Sequence, residues 1–289
     1  MKITNVMGLP EALVRAVEVQ RHNRPGHISV TTLLKGTKEI VLTDRHWDDI
    51  EVDVADLVNV IFGTAVHSVL ETEGANTFAE ERLTAEIEGF TVTGRMDSYD
   101  MKAEIVDDYK TASIWKIIKK DFGDWQRQGE GYGWLLRENG FRVKKARFTA
   151  MLKDYKKTEA RRDSSYPQKP CIVHEFPITD AGVYDFERFA REKVKDVRAA
   201  IWQDDDDIPP CTAEERWAKE TTFAVMKEGR KSAIRVLNSK EEAEQVASEN
   251  KGSFVVERPG EDTKCMGYCN VAPFCSYYRE RYGKGDSDE

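Results

Sequence analysis

The sequence predicts an α/β fold in which helices flank a small mixed sheet. Apolar residues recur at helical spacing over residues 53–73 and again over 181–202. Residues 83–100 alternate between apolar and polar, which is typical of a β-hairpin, and Glu88–Gly89 marks its turn. The order of elements along the chain is helix, strands, helix, strands, helix, and that order gives the α/β class.

Local signals place the other elements. A turn at Pro25–Gly26 precedes a β-rich stretch, and Asn139–Gly140 ends a helix. The remaining predicted elements are the β-rich stretch 28–34, a strand over 104–110, helices over 113–120 and 125–138, and strands over 145–153 and 172–177.

The helix predicted over 125–138 contains three glycines, Gly129, Gly131 and Gly133. Each glycine inside a helix costs about 1 kcal/mol relative to alanine. Either packing supports this helix, with the glycines allowing close approach of backbone or substrate, or the helix starts later. Trp125 and Trp134 in the same segment are predicted to face the core.

Four regions are predicted along the chain: a lead-in over 1–50, a core over 51–210, a small module over 211–264 and a cysteine-rich C-terminal clamp over 265–289. The small module has a β-β-α-β pattern. The polar tail Gly283–Glu289 is predicted to be disordered.

Composition excludes several classes of protein. Charged residues make up 33% of the 289 residues and apolar residues 40%, which is typical of a soluble protein. The chain has no apolar run of the roughly 20 residues that a bilayer requires, so no membrane partner is expected. The N-terminus lacks the apolar block of a signal peptide, which predicts an intracellular, cytoplasmic protein.

The net charge of −8 argues on average against a nucleic-acid partner, but the charge is uneven. Residues 142–162 contain nine Lys or Arg against Asp154 and Glu159, so this basic tract carries about +7. Such a tract offers a local footprint for phosphates. The alternative interpretation is a solvated strand and loop.

Two carboxylates and a lysine are predicted to converge on one point. Asp108 and Lys110 are two residues apart on a strand and therefore share a face, whereas Tyr109 points to the other face. Asp97 lies about ten residues upstream and can reach the same face. Hard divalent cations take oxygen ligands, and a neighbouring lysine can position a water. The pattern predicts a metal-dependent phosphodiester hydrolase.

A histidine on the preceding helix adds a third candidate ligand. His67 and Glu71 are four residues apart and share a helix face. A lone histidine on an apolar helix is more often a core or capping residue. Because His67 precedes Asp97, Asp108 and Lys110 in the chain, however, we favour its interpretation as a metal ligand. Imidazole suits manganese better than magnesium.

The order of these motifs resembles the RecB-like nucleases of the PD-(D/E)XK superfamily. The matching pieces are G-x-x-x-H-x-x-L-E (63–71), G-x-x-D (94–97), D-Y-K-T (108–111) and Q-x-x-x-Y (128–132). The resemblance implies a restriction-endonuclease-like core in a prokaryotic or phage-infected cell. It also implies roles for seven residues: His67, Asp97, Asp108 and the Tyr109 carbonyl as ligands of Mg²⁺ or Mn²⁺, Lys110 as the group that orients the attacking water, and Gln128 and Tyr132 as contacts to the DNA strand.

The cysteines suggest a second metal site. Cys265, Cys269 and Cys275 lie within eleven residues, and Cys211 follows Pro209–Pro210. Four thiolates can hold a structural zinc ion or an iron–sulfur cluster, and buried free cysteines are the alternative.

Similar cysteines occur in AddB-type and CRISPR-adaptation nucleases, and this resemblance implies a 4Fe–4S cluster. In those proteins the upstream cysteine precedes the core, whereas Cys211 follows it, and Cys171 is a rival for the fourth position. Cys211 is favoured because Cys171 lies in a predicted strand. The cluster is predicted to clamp the C-terminus and the module onto the core.

The leading hypothesis is therefore a magnesium- or manganese-dependent DNA nuclease, an exonuclease acting on single strands or duplex ends in recombination, repair or CRISPR-type DNA processing. A non-catalytic DNA-binding scaffold with a structural metal cluster is the alternative, and a small-molecule metallohydrolase is a third. The sequence has no G-x-x-x-x-G-K-[ST] motif, so a helicase would be a separate partner, as would a recombinase or single-strand-binding protein.

Overall fold

The computed structural model describes residues 1–17, 25–70, 77–79 and 82–283. The chain forms two compact units, Met1–Gln203 and Asp204–Glu289. Among the helices so described, none is both long enough and apolar enough to cross a membrane.

The first unit contains ten described strands and eight described α-helices. The strands are β1 (Lys2–Thr4), β2 (His27–Ser29), β3 (Glu51–Asp53), β4 (Thr77–Ala79), β5 (Arg82–Ile87), β6 (Phe90–Arg95), β7 (Ser98–Asp100), β8 (Ile105–Ala112), β9 (Lys145–Leu152) and β10 (Cys171–Pro177). The helices are α1 (Glu11–Ala16), α2 (Val30–Leu33), α3 (Thr37–Arg45), α4 (Val58–Leu70), α5 (Ile114–Ile118), α6 (Gly123–Glu138), α7 (Lys157–Arg162) and α8 (Asp180–Ala200).

A five-stranded mixed sheet with the order β10-β9-β8-β7-β4 forms the centre of this unit. Strand β8 lies in the middle, parallel to β9 and antiparallel to β7. Strand β9 alternates strictly, and its inward residues Ala146, Phe148 and Ala150 are fully buried. A three-stranded sheet β2-β6-β5 and a parallel pair β1-β3 complete the strands, so the predicted α/β class with a small mixed sheet is confirmed.

The glycines of α6 are explained by packing. The helix runs unbroken from Gly123 to Glu138. A Cβ atom at Gly129 would lie 2.6 Å from the Phe176 ring, and one at Gly131 would lie 2.6 Å from Phe186. The helix therefore packs closer to its neighbours than any larger residue would allow, which decides between the two alternatives. Trp125 and Trp134 are buried, as predicted.

The β-rich stretch predicted over 28–34 is mostly wrong. The strand ends at Ser29, and α2 begins at Val30. The Ser29 side chain accepts a hydrogen bond from the Thr32 N–H at 3.0 Å, which makes it an N-cap. The cap outweighs the β preference of the valine and threonines that follow.

The helix predicted over 53–73 is present over Val58–Leu70, and its predicted start is wrong because Asp53 ends strand β3. A 3₁₀ turn, Val54–Leu57, leads into α4, which the structure describes to Leu70. Glu71, the last residue of the first matched motif, lies outside the described residues.

The second unit confirms the predicted β-β-α-β module. Its elements are β11 (Thr222–Lys227), β12 (Arg235–Leu237), α9 (Lys240–Glu249), β13 (Ser253–Arg258), α10 (Thr263–Gly267), a 3₁₀ turn (Ala272–Phe274) and α11 (Ser276–Tyr282). The three strands form an antiparallel sheet with β11 in the centre. The tail predicted to be disordered lies, after Gly283, outside the described residues.

Candidate active site

Asp97 lies in a break between two sheets. The hairpin predicted over 83–100 implies one continuous strand from its turn to residue 100, but the chain leaves the three-stranded sheet at Arg95 and enters the central sheet at Ser98. This break lets the Asp97 side chain reach β8, where its Oδ2 accepts a hydrogen bond from the Tyr109 N–H at 2.5 Å. The predicted meeting of Asp97 with β8 is therefore present, through a sheet switch that the sequence did not indicate.

The second oxygen of Asp97 contacts the helix upstream. Nδ1 of His67, on α4, lies 2.7 Å from Asp97 Oδ1. This hydrogen bond is the main reason that the pKa of His67 is raised, although partial burial opposes the shift. The imidazole and the carboxylate are thus joined as the motif order predicted.

Asp108 is the most deeply buried acid of the site. Its side chain is only 6% exposed, and its Oδ2 lies 2.7 Å from the Lys110 ammonium. Burial raises the pKa of Asp108 to about 6; Lys110 opposes the shift, and the nearby Asp97 charge adds to it. Asp108 and Lys110 therefore share a face of β8, as the alternation of side chains predicts.

Gln128 and Tyr132 form a buried layer behind Asp108. Gln128 Nε2 donates to Asp108 Oδ1 at 2.9 Å and to the Tyr132 hydroxyl at 2.7 Å. The Tyr132 hydroxyl donates to the Arg95 carbonyl at 3.1 Å, next to the break that carries Asp97. Both side chains are almost fully buried, so here they position Asp108. Their contact with a DNA strand, which the resemblance implies, stays a prediction.

The donor chemistry of this cluster suits a hard divalent cation. It comprises two carboxylates and one imidazole, and Asp108 Oδ2 is buried without an aligned hydrogen bond even though Lys110 is close. In the described part of the chain, however, no three His, Cys, Asp or Glu side chains already stand as a ligand set. His67 and Tyr109 instead occupy the two oxygens of Asp97. The ligand roles therefore stay predictions.

One strong ion pair next to the site was missed. Asp107 accepts two hydrogen bonds from Arg147 on β9, from Nε at 2.5 Å and from Nη2 at 2.8 Å. Consecutive residues on a strand face opposite sides, so alternation alone could have separated Asp107 from Asp108. Asp107 belongs to the sheet's other face and holds β8 to β9.

The basic tract divides into two parts in the structure. In its first part, Arg142 and Lys144 both pair with Glu104, Lys145 pairs with Glu175, and Arg147 pairs with Asp107. Each of these four cations therefore already contacts a carboxylate, although Arg142 and Lys144 share one. The second part begins after β9 and includes α7.

The four cysteines assigned to the cluster all lie in the second unit. None of the chain's five cysteines forms a disulfide, and Cys171 is exposed at the start of β10 in the first unit. Burial raises the pKa of the Cys265 thiol to about 11, and Asp262, Cys211 and Cys275 add to the shift. Within the described residues, however, these cysteines do not already form a ready metal-ligand set.

A buried carboxylate organises the same region. Asp262 Oδ2 accepts hydrogen bonds from the hydroxyls of Tyr277 at 2.8 Å and Tyr282 at 3.0 Å, both on α11. Its Oδ1 accepts from Arg216 at 3.1 Å, and Arg216 in turn donates to the Cys211 carbonyl. One network therefore links the segment that carries Cys211 to the C-terminal helix.

No family model matches the chain, and no curated protein matches its sequence. Solved structures are similar at low identity. The protein SSO0001 is 17% identical over 64% of this chain and 82% of its own, with a TM-score of 0.42. An alkaline exonuclease, LHK-Exo from Laribacter hongkongensis, is 11% identical over 66% of this chain and 94% of its own, with a TM-score of 0.38. A phage-related exonuclease from Haemophilus somnus is 12% identical over 58% and 75%, with a TM-score of 0.29.

Proposed function

We propose that this protein is a divalent-metal-dependent DNA nuclease that hydrolyses phosphodiester bonds. One observation carries the proposal: the break between the sheets brings Asp97 to β8, where its hydrogen bond to the Tyr109 N–H holds it beside the Asp108–Lys110 pair, and His67 contacts Asp97 in turn. Charged groups rarely converge on a half-buried point unless a ligand or a reaction requires it. A carboxylate with a purely structural role is instead expected to be paired as Asp107 is, with both of its oxygens bonded to one arginine.

His67, Asp97 and Asp108 would hold Mg²⁺ or Mn²⁺ together with the Tyr109 carbonyl. When bound, such a cation neutralises charge on the phosphate and makes a water molecule more acidic. Lys110 would orient the attacking water, and its ammonium, 2.7 Å from the carboxylate of Asp108, supports this role. Gln128 fixes Asp108 Oδ1 and so leaves Oδ2 facing Lys110 and the site.

DNA is the proposed substrate, and an exonuclease acting on single strands or duplex ends is the proposed mode. A helicase, recombinase or single-strand-binding protein would be a separate partner in recombination, repair or CRISPR-type DNA processing. These finer roles rest on the motif order over residues 63–132. The exonucleases among the similar structures agree with the general activity but carry no detail of it.

The proposal is tested by incubating the purified protein with end-labelled single-stranded and double-stranded DNA and Mn²⁺. A nuclease shortens at least one of the two substrates, and a chelator abolishes the effect. The scaffold alternative instead predicts that DNA is retarded on a gel but stays intact with and without the metal.

We also propose that Cys211, Cys265, Cys269 and Cys275 hold a 4Fe–4S cluster, with zinc as the alternative. The support is that the hydrogen bonds of Asp262 and Arg216 link the segment carrying Cys211 to α11, which directly follows Cys275, and that Cys211 and Cys275 both contribute to the raised pKa of the Cys265 thiol. A cluster gives a broad absorption band at about 400 nm in anaerobically purified protein and iron on metal analysis. The Cys211→Ser variant should lose that metal, whereas Cys171→Ser, the matched control, should keep it. Loss of the metal in Cys171→Ser but not in Cys211→Ser would assign Cys171 as the fourth ligand.

A further inference from the structure

A large aromatic side chain lies exposed at the end of the strand that carries the candidate active site. Trp115, on α5, is 59% exposed. Strand β8 ends at Ala112, four residues after Asp108 or about 13 Å at the usual rise of a strand. Helix α5 begins two residues later. Two of the other tryptophans in this unit, Trp125 and Trp134, are buried.

Two hydrogen bonds join the start of α5 to the loop after β9, which belongs to the second part of the basic tract. Asp154 accepts a hydrogen bond from the Ile114 N–H at 2.8 Å and another from the Ser113 hydroxyl at 2.6 Å. Trp115 is one residue from that anchor on α5, and Lys156 is two residues from it on the loop. The backbone that carries Trp115 and the backbone that carries Lys156 are therefore held together at the same hydrogen-bonded point.

The same loop also reaches the helix that carries His67. Lys153 Nζ donates to the Asn59 side chain at 2.6 Å, in the first turn of α4. Three elements thus meet here: the end of β8, the start of α4 and the loop after β9. A molecule bound at this point lies about 13 Å from Asp108 along β8, on the two elements that also carry His67 and Asp108.

The cations of this region differ from those in the first part of the basic tract. Lys156 and Lys157 are exposed, and within the described residues no carboxylate forms an ion pair with either. Arg142 and Lys144, by contrast, share Glu104 at 3.3 and 2.7 Å. Unpaired lysines beside an exposed aromatic ring complement a chain that carries both phosphates and flat bases.

We propose that Trp115, Lys156 and Lys157 form a binding surface for an unpaired stretch of the substrate strand. A base stacks on the Trp115 ring, and the two lysines contact phosphates of the same strand. This surface rests on the proposed nuclease function, because it delivers a single strand to that site. The bases of an intact duplex are stacked inside the helix, so they offer Trp115 no face.

The stacking contact is tested by equilibrium binding of a fluorescent 20-residue oligothymidylate in a chelating buffer. Stacking on an aromatic side chain corresponds to a loss of about 5- to 150-fold in affinity on alanine substitution. We therefore expect Trp115→Ala to weaken binding about tenfold or more and Trp115→Phe to restore most of it. Trp202→Ala is the matched control, since Trp202 is 89% exposed elsewhere in the unit. Equal affinity of wild type and Trp115→Ala would overturn the stacking contact.

A second binding measurement uses a blunt duplex of the same length. Its affinity should change less than about twofold in Trp115→Ala, since no base face is available. An equal loss on duplex and single strand would contradict stacking. Quenching of tryptophan fluorescence by the oligothymidylate should also fall in Trp115→Phe and stay unchanged in the Trp202→Phe control.

The phosphate contacts are tested by the salt dependence of the same binding. Each phosphate contact to a single strand contributes about 0.7 to the slope of log affinity against log salt. The double variant K156A/K157A should therefore bind with a slope shallower by about 1.4. K144A/K145A, the control, should change the slope by much less, because each of these lysines already pairs with a different carboxylate, Glu104 or Glu175. An unchanged slope in K156A/K157A would refute this part.

Binding in a chelating buffer requires no chemistry, so the surface and the nuclease activity can fail independently. A wild-type protein that binds the oligothymidylate through Trp115 but leaves DNA intact with Mn²⁺ would support the surface and overturn the proposed function. A protein that cleaves DNA while Trp115→Ala binds like wild type would overturn the surface alone.

Discussion

Replacing Asp108 with asparagine should stabilise the metal-free protein at neutral pH. Asp108 is almost fully buried, and burial raises its pKa from 3.8 to about 6. Above that pH the native state must hold a buried negative charge that Lys110 balances only in part. The D108N variant removes the charge and keeps an oxygen that can accept the Gln128 hydrogen bond.

The size of the effect follows from the two pKa values of Asp108. Their difference corresponds to about 3 kcal/mol, which is an upper limit. Because the folded protein binds this proton more tightly than the unfolded chain does, the free energy of unfolding decreases as pH rises from about 4 to about 6. The new amide leaves Lys110 without its partner carboxylate, so we expect a gain of about 1–3 kcal/mol at pH 8 and none near pH 4.

Thermal unfolding in a chelating buffer at pH 8, 6 and 4 measures this difference. For a unit of this size, 1 kcal/mol raises the melting temperature by about 2–4 °C. The neighbouring D107N variant is the control, because it breaks the ion pair with Arg147 and should lower stability. A D108N variant that is less stable than wild type at pH 8, or a gain that does not shrink toward pH 4, would refute the reasoning.

Three further predictions follow from other contacts. Gly131→Ala should lower the free energy of unfolding by about 1–3 kcal/mol, because the added methyl group would collide with core side chains. Gly123→Ala, at a position with open space around it, should leave the free energy of unfolding unchanged. Equal unfolding curves for the two variants would contradict the packing account of α6. Asp262→Asn should destabilise the second unit by about 1–3 kcal/mol, because Tyr277 and Tyr282 lose a charged hydrogen-bond acceptor. The loss should appear as faster proteolysis of that unit, and an unchanged rate of proteolysis would count against the network. His67→Ala should lower cleavage more with Mn²⁺ than with Mg²⁺, and an equal loss with both ions would argue against imidazole as a ligand.

Much of the candidate site could be predicted from the sequence because it depends on patterns within short segments of the chain. Strand alternation is enough to place Asp108 and Lys110 on one face, and the chain order of the motifs placed His67 and Asp97 beside them. The helix and strand periods likewise predicted most elements, including the β-β-α-β module.

The remaining features depend on contacts between distant segments. The sheet switch at Asp97 is set by which strand each half joins, and no local pattern encodes it. The burial of Gln128 and Tyr132 results from α6 packing close to the sheet through its glycines. Pairing of the basic tract likewise required the register of β8 and β9, which brings Arg147 opposite Asp107.

The central claim is that the cluster around Asp108 is the active site of a metal-dependent phosphodiester hydrolase. The most direct measurement compares the rate of DNA cleavage with Mn²⁺ by the wild type and by the adjacent pair D108N and D107N. We predict that D108N loses activity by at least about 100-fold while remaining folded, and that D107N cleaves at a rate within a few-fold of wild type. Cleavage by D108N at the wild-type rate, or no cleavage by the wild type itself, would contradict the claim.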